Sequence, residues 1–103
     1  LIHTLSLHDA LPIWLAGSAV LDAKAPMMID RNFVPGGTIK VNHKDITNVV
    51  KTAHSIDAPI PYSAQLYEIM QALKVHEHLG DDHAGIVQYF EALADCKVEK
   101  KEN

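Results

Sequence analysis

The chain lacks most of the features that announce a function outright. Among its 103 residues there is one cysteine, Cys96, so no disulfide can close within it and nothing asks for an oxidising compartment. A cytoplasmic location is the default expectation, with Cys96 a buried structural thiol that has no histidine near it in sequence to make it a nucleophile. No run reaches the ~18 apolar residues of a membrane helix, and no basic flank marks a signal peptide. Clustered base is missing too: a formal net charge of −4 argues against nucleic acid or an anionic membrane as partner. The one locally basic stretch, Lys97 to Lys101, is interrupted by Glu99 and reads as a solvated end. There is no Gly-x-Gly-x-x-Gly, no phosphate loop and no internal repeat. What remains is ordinary for one globular domain, with 48% apolar and 21% charged residues, enough to form a core.

The most informative stretch is Phe33 to Ala53, FVPGGTIKVNHKDITNVVKTA. A turn on Pro35-Gly36-Gly37 leads through an alternating strip, Ile39-Lys40-Val41, which has strand period. An amphipathic helix then opens at His43-Lys44-Asp45, where backbone N–H groups lack intrahelical partners and the Asp45 carboxylate serves as the cap. Ile46, Val49, Val50 and Ala53 recur at helical spacing as its apolar stripe. Lys44 and Asn48 stand four apart, so a cation and an amide point together from one side. On residues alone, a Lys-Asp pair at a helix start is more often a cap beside a solvated charge than a site.

On either side of this stretch the pattern is helical. Leu15 to Ala25 reads as the tail of a helix ending at Pro26, its head of small residues, Ala16 to Ala19, permitting close approach of another backbone or a ligand. Met27 to Ile29 follow as a short inward turn, and Asp30-Arg31-Asn32 break it. Pro59 and Pro61 keep the next connector extended. Ser63 is the expected N-cap of a helix over Ala64 to Leu79, with Leu66, Ile69, Met70 and Leu73 inward and Gly80 as its left-handed stop. Asp81 or Asp82 caps a last helix from His83 to about Ala94, with Ile86, Phe90, Leu93 and Ala94 inward. Three residues of strand period make no sheet, so the expected fold class is all-α, a packed set of short-looped helices.

Seven histidines invite a metal reading, centred on His76, His78, Asp81, Asp82 and His83. Ligands two apart on a helix diverge, and no sulfur is near, so no metal site is expected. Tyr62, Tyr67 and Tyr89 lie beside apolar positions and read as core rim rather than acids. No complete catalytic set can be assembled from these residues, and a binding contribution is what is left.

Two resemblances complete the reading. Thr4 to Ile13, TLSLHDALPI, resembles the translation of a common sequencing adapter, so residues 1–14 are expected to be non-native and set apart from 15–98, with 99–103 a tail. The motifs LAGSAVLDAKAPMMIDRNFVPGG, HKDI, APIPYSAQLYEIMQALK and DDHAGIVQYFEALA, in that order, resemble the C-terminal helical domain of the β-hydroxyacid dehydrogenases. This is the 6-phosphogluconate dehydrogenase-like type, and within the family the likeness is to the 2-hydroxy-3-oxopropionate (tartronate semialdehyde) reductases.

The resemblance implies an NAD- or NADP-dependent enzyme acting on a small hydroxy-aldehyde acid, with this domain closing the cleft and pairing subunits as a homo-oligomer. It also implies a Rossmann domain and a catalytic lysine outside these residues, so that this chain contributes no catalytic residue and is inactive alone. Lys44, matching the lysine of the family's Lys-Asp-Leu motif, is implied to contact the cofactor near the nicotinamide. Ile46 replaces the usual leucine, and Asp82-His83-Ala84 lacks the family's serine, so a hydroxyl contact does not carry over. The nearest alternatives are a 3-hydroxyisobutyrate or threonate dehydrogenase, or a non-catalytic helical interaction module.

Overall fold

The computed structural model describes residues 16–99. The adapter-like block assigned to 1–14, and the tail past Glu99, lie outside the described residues. The helices are α1, Ala19–Ile29; α2, Ile39–Ser55; α3, Pro61–Val75; and α4, Val87–Ala94, entered directly from a 3-10 turn at His83–Ile86. No strand forms among the described residues, which agree with the all-α reading; one isolated antiparallel bridge pairs Thr38 with Asp82.

Several boundaries differ from those expected, each for a local physical reason. Ile39-Lys40-Val41 is not extended but is the first turn of α2, whose N-cap is Thr38. Asp45 therefore lies in the second turn and caps nothing. Ser18 caps α1, its hydroxyl accepting from Leu21 N at 3.0 Å, and Pro26 sits inside the helix instead of ending it. Proline there removes only the donor to the Asp22 carbonyl, and burial of Ala25 and Ile29 holds the last turn in place. Pro61 opens α3 at its first position, where a missing N–H leaves no bond unmade, so Ser63 falls within the first turn and is not the cap.

Helix ends follow one rule that the glycines conceal. Arg31, Asp57, Glu77 and Asp95 hold left-handed φ values of 52°, 58°, 64° and 53°, and no described glycine does. Each follows a helix and lets a six-residue closing bond form, from Asn32 N to Met27 O, Ala58 N to Ala53 O, His78 N to Leu73 O and Cys96 N to Glu91 O. This satisfies carbonyls that a helix end otherwise leaves bare. Glu77 thus stops α3 near Val75, and Gly80 is not its left-handed stop.

The core gathers Ile39 of α2 with Met70 and Leu73 of α3; Ile46, Ile69, Leu79, Ile86 and Tyr89 pack on it. α2 lies against α3, and α1 reaches the rest of the domain through the 3-10 turn. The expected inward residues are partly wrong: Val49, Leu66, Phe90, Leu93 and Ala94 are exposed. On α4 the buried residue is Glu91, because Arg31 reaches it from beyond α1 and ties that helix down by charge.

Candidate functional site

The start of α2 is built from two segments far apart in sequence. Ile39 N donates to Asp81 O at 3.0 Å and Lys40 N to Leu79 O at 2.9 Å, so donors left bare by a first turn are met by the 79–81 loop. Asp82 N donates to Phe33 O and His83 N to Gly37 O, stitching the turn before α2 to the same loop. Gly37 is required there because a Cβ would run into the His83 ring. That ring in turn meets Asn42 Oδ1 through Nδ1.

Asp82 is the centre of this junction and is fully buried. Its Oδ1 accepts from Gly36 N at 2.9 Å and Gly37 N at 3.4 Å, and its Oδ2 from Ala84 N at 2.8 Å. Lys24 of α1 donates to both oxygens, at 3.1 and 3.0 Å. Burial pushes the Asp82 carboxyl up, but the amides of Ala84 and Gly36, then Lys24 and the Gly37 amide, outweigh it and hold the group well below the usual carboxylate range. Glu91 behaves alike: burial raises it, while Arg31, the Val98 amide and Lys97 together lower it.

Both carboxylates are therefore lowered in the folded chain, and both stabilise it fully above their ordinary values of 3.8 and 4.5 and less as pH falls through the folded ones. The expected result is an unfolding midpoint in urea that declines steadily below about pH 4.5. A midpoint that rises on acidification would contradict this.

Lys44 is carried by the junction without being part of it. It lies one turn into α2, 70% exposed, with Asp45 Oδ1 3.8 Å from its Nζ. A pair so open to water contributes little, and leaves the ammonium available. Asn48, also exposed, stands one turn further along the same side. The arrangement offers an exposed cation and an amide on a helix whose first turn is bonded to residues 79–83 through Ile39, Lys40 and Asn42.

The other singled-out residues are dispersed. Tyr62 is exposed, the Tyr67 ring centroid lies 6.2 Å from that of His43, and Tyr89 packs on the core with Phe90 edge-on at 5.2 Å. His43 Nε2 is buried without a hydrogen-bond partner. His78 Nδ1 stands 3.3 Å from Asp81, which also accepts from Gln88 at 2.8 Å. Asp82 bonds to Lys24 and backbone amides and His83 to Asn42, and no group of three His, Cys, Asp or Glu converges among the described residues. Cys96 is exposed, not buried as expected, because the chain has left α4 at Asp95 before reaching it. No described helix is long and apolar enough to cross a membrane. Sequence reasoning missed the Lys24–Asp82 pair altogether.

Residues 6–90 match the family model described as NAD-binding of NADP-dependent 3-hydroxyisobutyrate dehydrogenase. The chain is also 28% identical over 91 residues to the 2-hydroxy-3-oxopropionate reductase of Escherichia coli (strain K12), an alignment that takes in 88% of this chain and 31% of that protein. It thus spans about a third of the length of this curated relative.

Proposed function

Since the chain belongs to the family described as NAD-binding of NADP-dependent 3-hydroxyisobutyrate dehydrogenase, we propose that it is the helical, cofactor-contacting part of an oxidoreductase that reduces 2-hydroxy-3-oxopropionate to glycerate. The family's cofactor is NAD or NADP. The residues present fit such a group: Lys44 offers a charge for a phosphate or a polarised carboxamide, and Asn48 beside it offers both a donor and an acceptor. When bound, the nicotinamide supplies the hydride.

The observation that carries this reading is Lys44, open to solvent yet mounted on a helix whose first turn bonds to the 79–81 loop and whose preceding turn is held by Asp82. A cation held at a fixed place beside a hydride-transfer site assists by position and field rather than by bond-making. Asp45, its neighbour, is too exposed and too far along α2 to fix the helix. The general acid is assigned to a lysine outside these residues, so the 103-residue chain is expected to turn over no aldehyde by itself.

The choice of substrate rests on the motif likeness and on the relative in Escherichia coli. Its test is a panel of aldehyde acids offered to a full-length enzyme carrying this domain. The largest kcat/KM is expected with 2-hydroxy-3-oxopropionate. A larger value with the semialdehyde of 3-hydroxyisobutyrate would move the assignment to that branch, and no reduction of any member would remove it.

A further inference from the structure

The described residues enclose a small core. Ala25, Ile29, Ile39, Met70, Leu73 and Ala84 are its buried apolar members, while ten large apolar side chains stand open to water. Three of those ten gather on one face. A groove of about 340 Å3 runs between the end of α3 and α4, floored by Ala72, Leu73, Tyr89 and Ala92. Leu93, 74% exposed, forms its edge on α4. Phe90, three residues earlier and 49% exposed, extends that edge; Val75, three residues after Ala72 and 68% exposed, extends the edge on α3.

The size and lining of the groove decide what fits it. Its polar residues are largely engaged with the protein itself: His78 Nδ1 stands 3.3 Å from Asp81, and the Gln88 amide donates to Asp81 and to the Gly85 carbonyl. The groove therefore lacks the converging free donors and acceptors that orient a small molecule. A second copy of the chain needs more surface than this face offers. α4 is 8 residues long, so a face one such helix long and two helices wide is roughly 12 by 20 Å, about 250 Å2. Each partner in a stable dimer gives ~600 to 1,000 Å2. A helix tethered by its own chain needs no such area, because the tether has already removed most of the translational freedom that association costs. Such a helix has a place to come from, since the match to the Escherichia coli relative takes in 31% of that protein.

Resting on the reading of this chain as one part of a longer reductase, we infer that the groove between α3 and α4 seats an amphipathic helix from the rest of that polypeptide. Its apolar side chains, at i, i+3 or i+4 and i+7, lie between Val75 and Leu93. The test compares the full 103-residue chain with a full-length enzyme carrying this domain, both as Leu93→Cys in a Cys96→Ser background. Iodoacetamide alkylation at position 93 is followed by peptide mass spectrometry. In the 103-residue chain the thiol should react nearly as fast as in urea-unfolded protein. In the full-length enzyme it should react about a hundredfold more slowly, at every protein concentration, because it is reached only through local opening. Leu93→Asp gives a second reading: it should leave the urea midpoint of the 103-residue chain unchanged and lower that of the full-length enzyme. Equal alkylation rates in the two proteins, or a full-length midpoint unmoved by Leu93→Asp, overturn the seat. Protection that disappears on dilution overturns it too, and gives the groove to a second copy. Neither readout involves turnover, so a wrong substrate or a Lys44 without a cofactor contact would leave the result standing.

Discussion

Asp82→Ala is expected to bring the domain close to unfolding at room temperature, with a loss of about 3 to 5 kcal/mol. The reason is what the substitution leaves behind. Lys24 would remain half-enclosed without its partner, and the amides of Gly36, Gly37 and Ala84 would lose the oxygens they donate to. A buried donor deprived of its acceptor costs about 1 to 3 kcal/mol, and folded domains hold only about 5 to 15 in reserve. Asp82→Asn keeps the shape and one acceptor oxygen, so it should be milder. Removing Lys24 as well, as Lys24→Met in the Asp82→Ala background, should recover part of the loss, because no unpaired charge would then remain. Urea midpoints by circular dichroism measure all three variants. An Asp82→Ala midpoint equal to that of the native chain would mean that the junction before α2 does not depend on this carboxylate.

Leu73→Ala should have the second largest effect, about 2 to 5 kcal/mol. Leu73 is 1% exposed and packs with Ile39 and Met70, so truncation opens a cavity directly beneath the first residue of α2. Leu66, on the same helix but 36% exposed, is the matched control, and Leu66→Ala should lose less than about 1 kcal/mol. Equal losses at the two positions would contradict the packing described for α3.

Comparing these residues with the sequence shows what a linear reading can reach. Leu73 and Met70 were legible because helical spacing sets them on one face whatever the partner, and the number and order of helices followed from the same periodicity. The start of α2 was not legible. Its donors are met by carbonyls at Leu79 and Asp81, some forty positions away, and nothing local distinguishes Ile39-Lys40-Val41 as helix from the same residues as strand. Helix ends were misjudged for the opposite reason: attention goes to glycine, whereas Arg31, Asp57, Glu77 and Asp95 take the left-handed position here. Phe90 and Leu93 looked inward by composition, yet the position buried on α4 is Glu91, which only its partner Arg31 explains. Asp81 or Asp82 is the cap that the sequence offers, and it is the Asp82 side chain that accepts from Ala84 N; its larger role depends on where Lys24 lies.

For the site, the sequence placed Lys44 and Asn48 on one side of a helix, and the structure keeps them there, exposed and one turn apart. It placed Asp45 as the cap, a role that passed to Thr38 when α2 began earlier. What the residues alone left open was whether Lys44 is held in position. The stitched junction fixes the helix start that carries Lys44, through Asp82 and the 79–81 loop, while the Lys44 side chain itself is open to solvent.

The most direct measurement is steady-state kinetics of a full-length enzyme carrying this domain, native against Lys44→Ala, with cofactor concentration varied at saturating aldehyde. Because Lys44 is exposed and contributes little to folding, the variant should keep the native urea midpoint while kcat/KM for the nicotinamide cofactor falls about ten- to a hundredfold. Native kinetics from the folded variant would return Lys44 to a solvated surface charge and remove the cofactor contact from this domain's role.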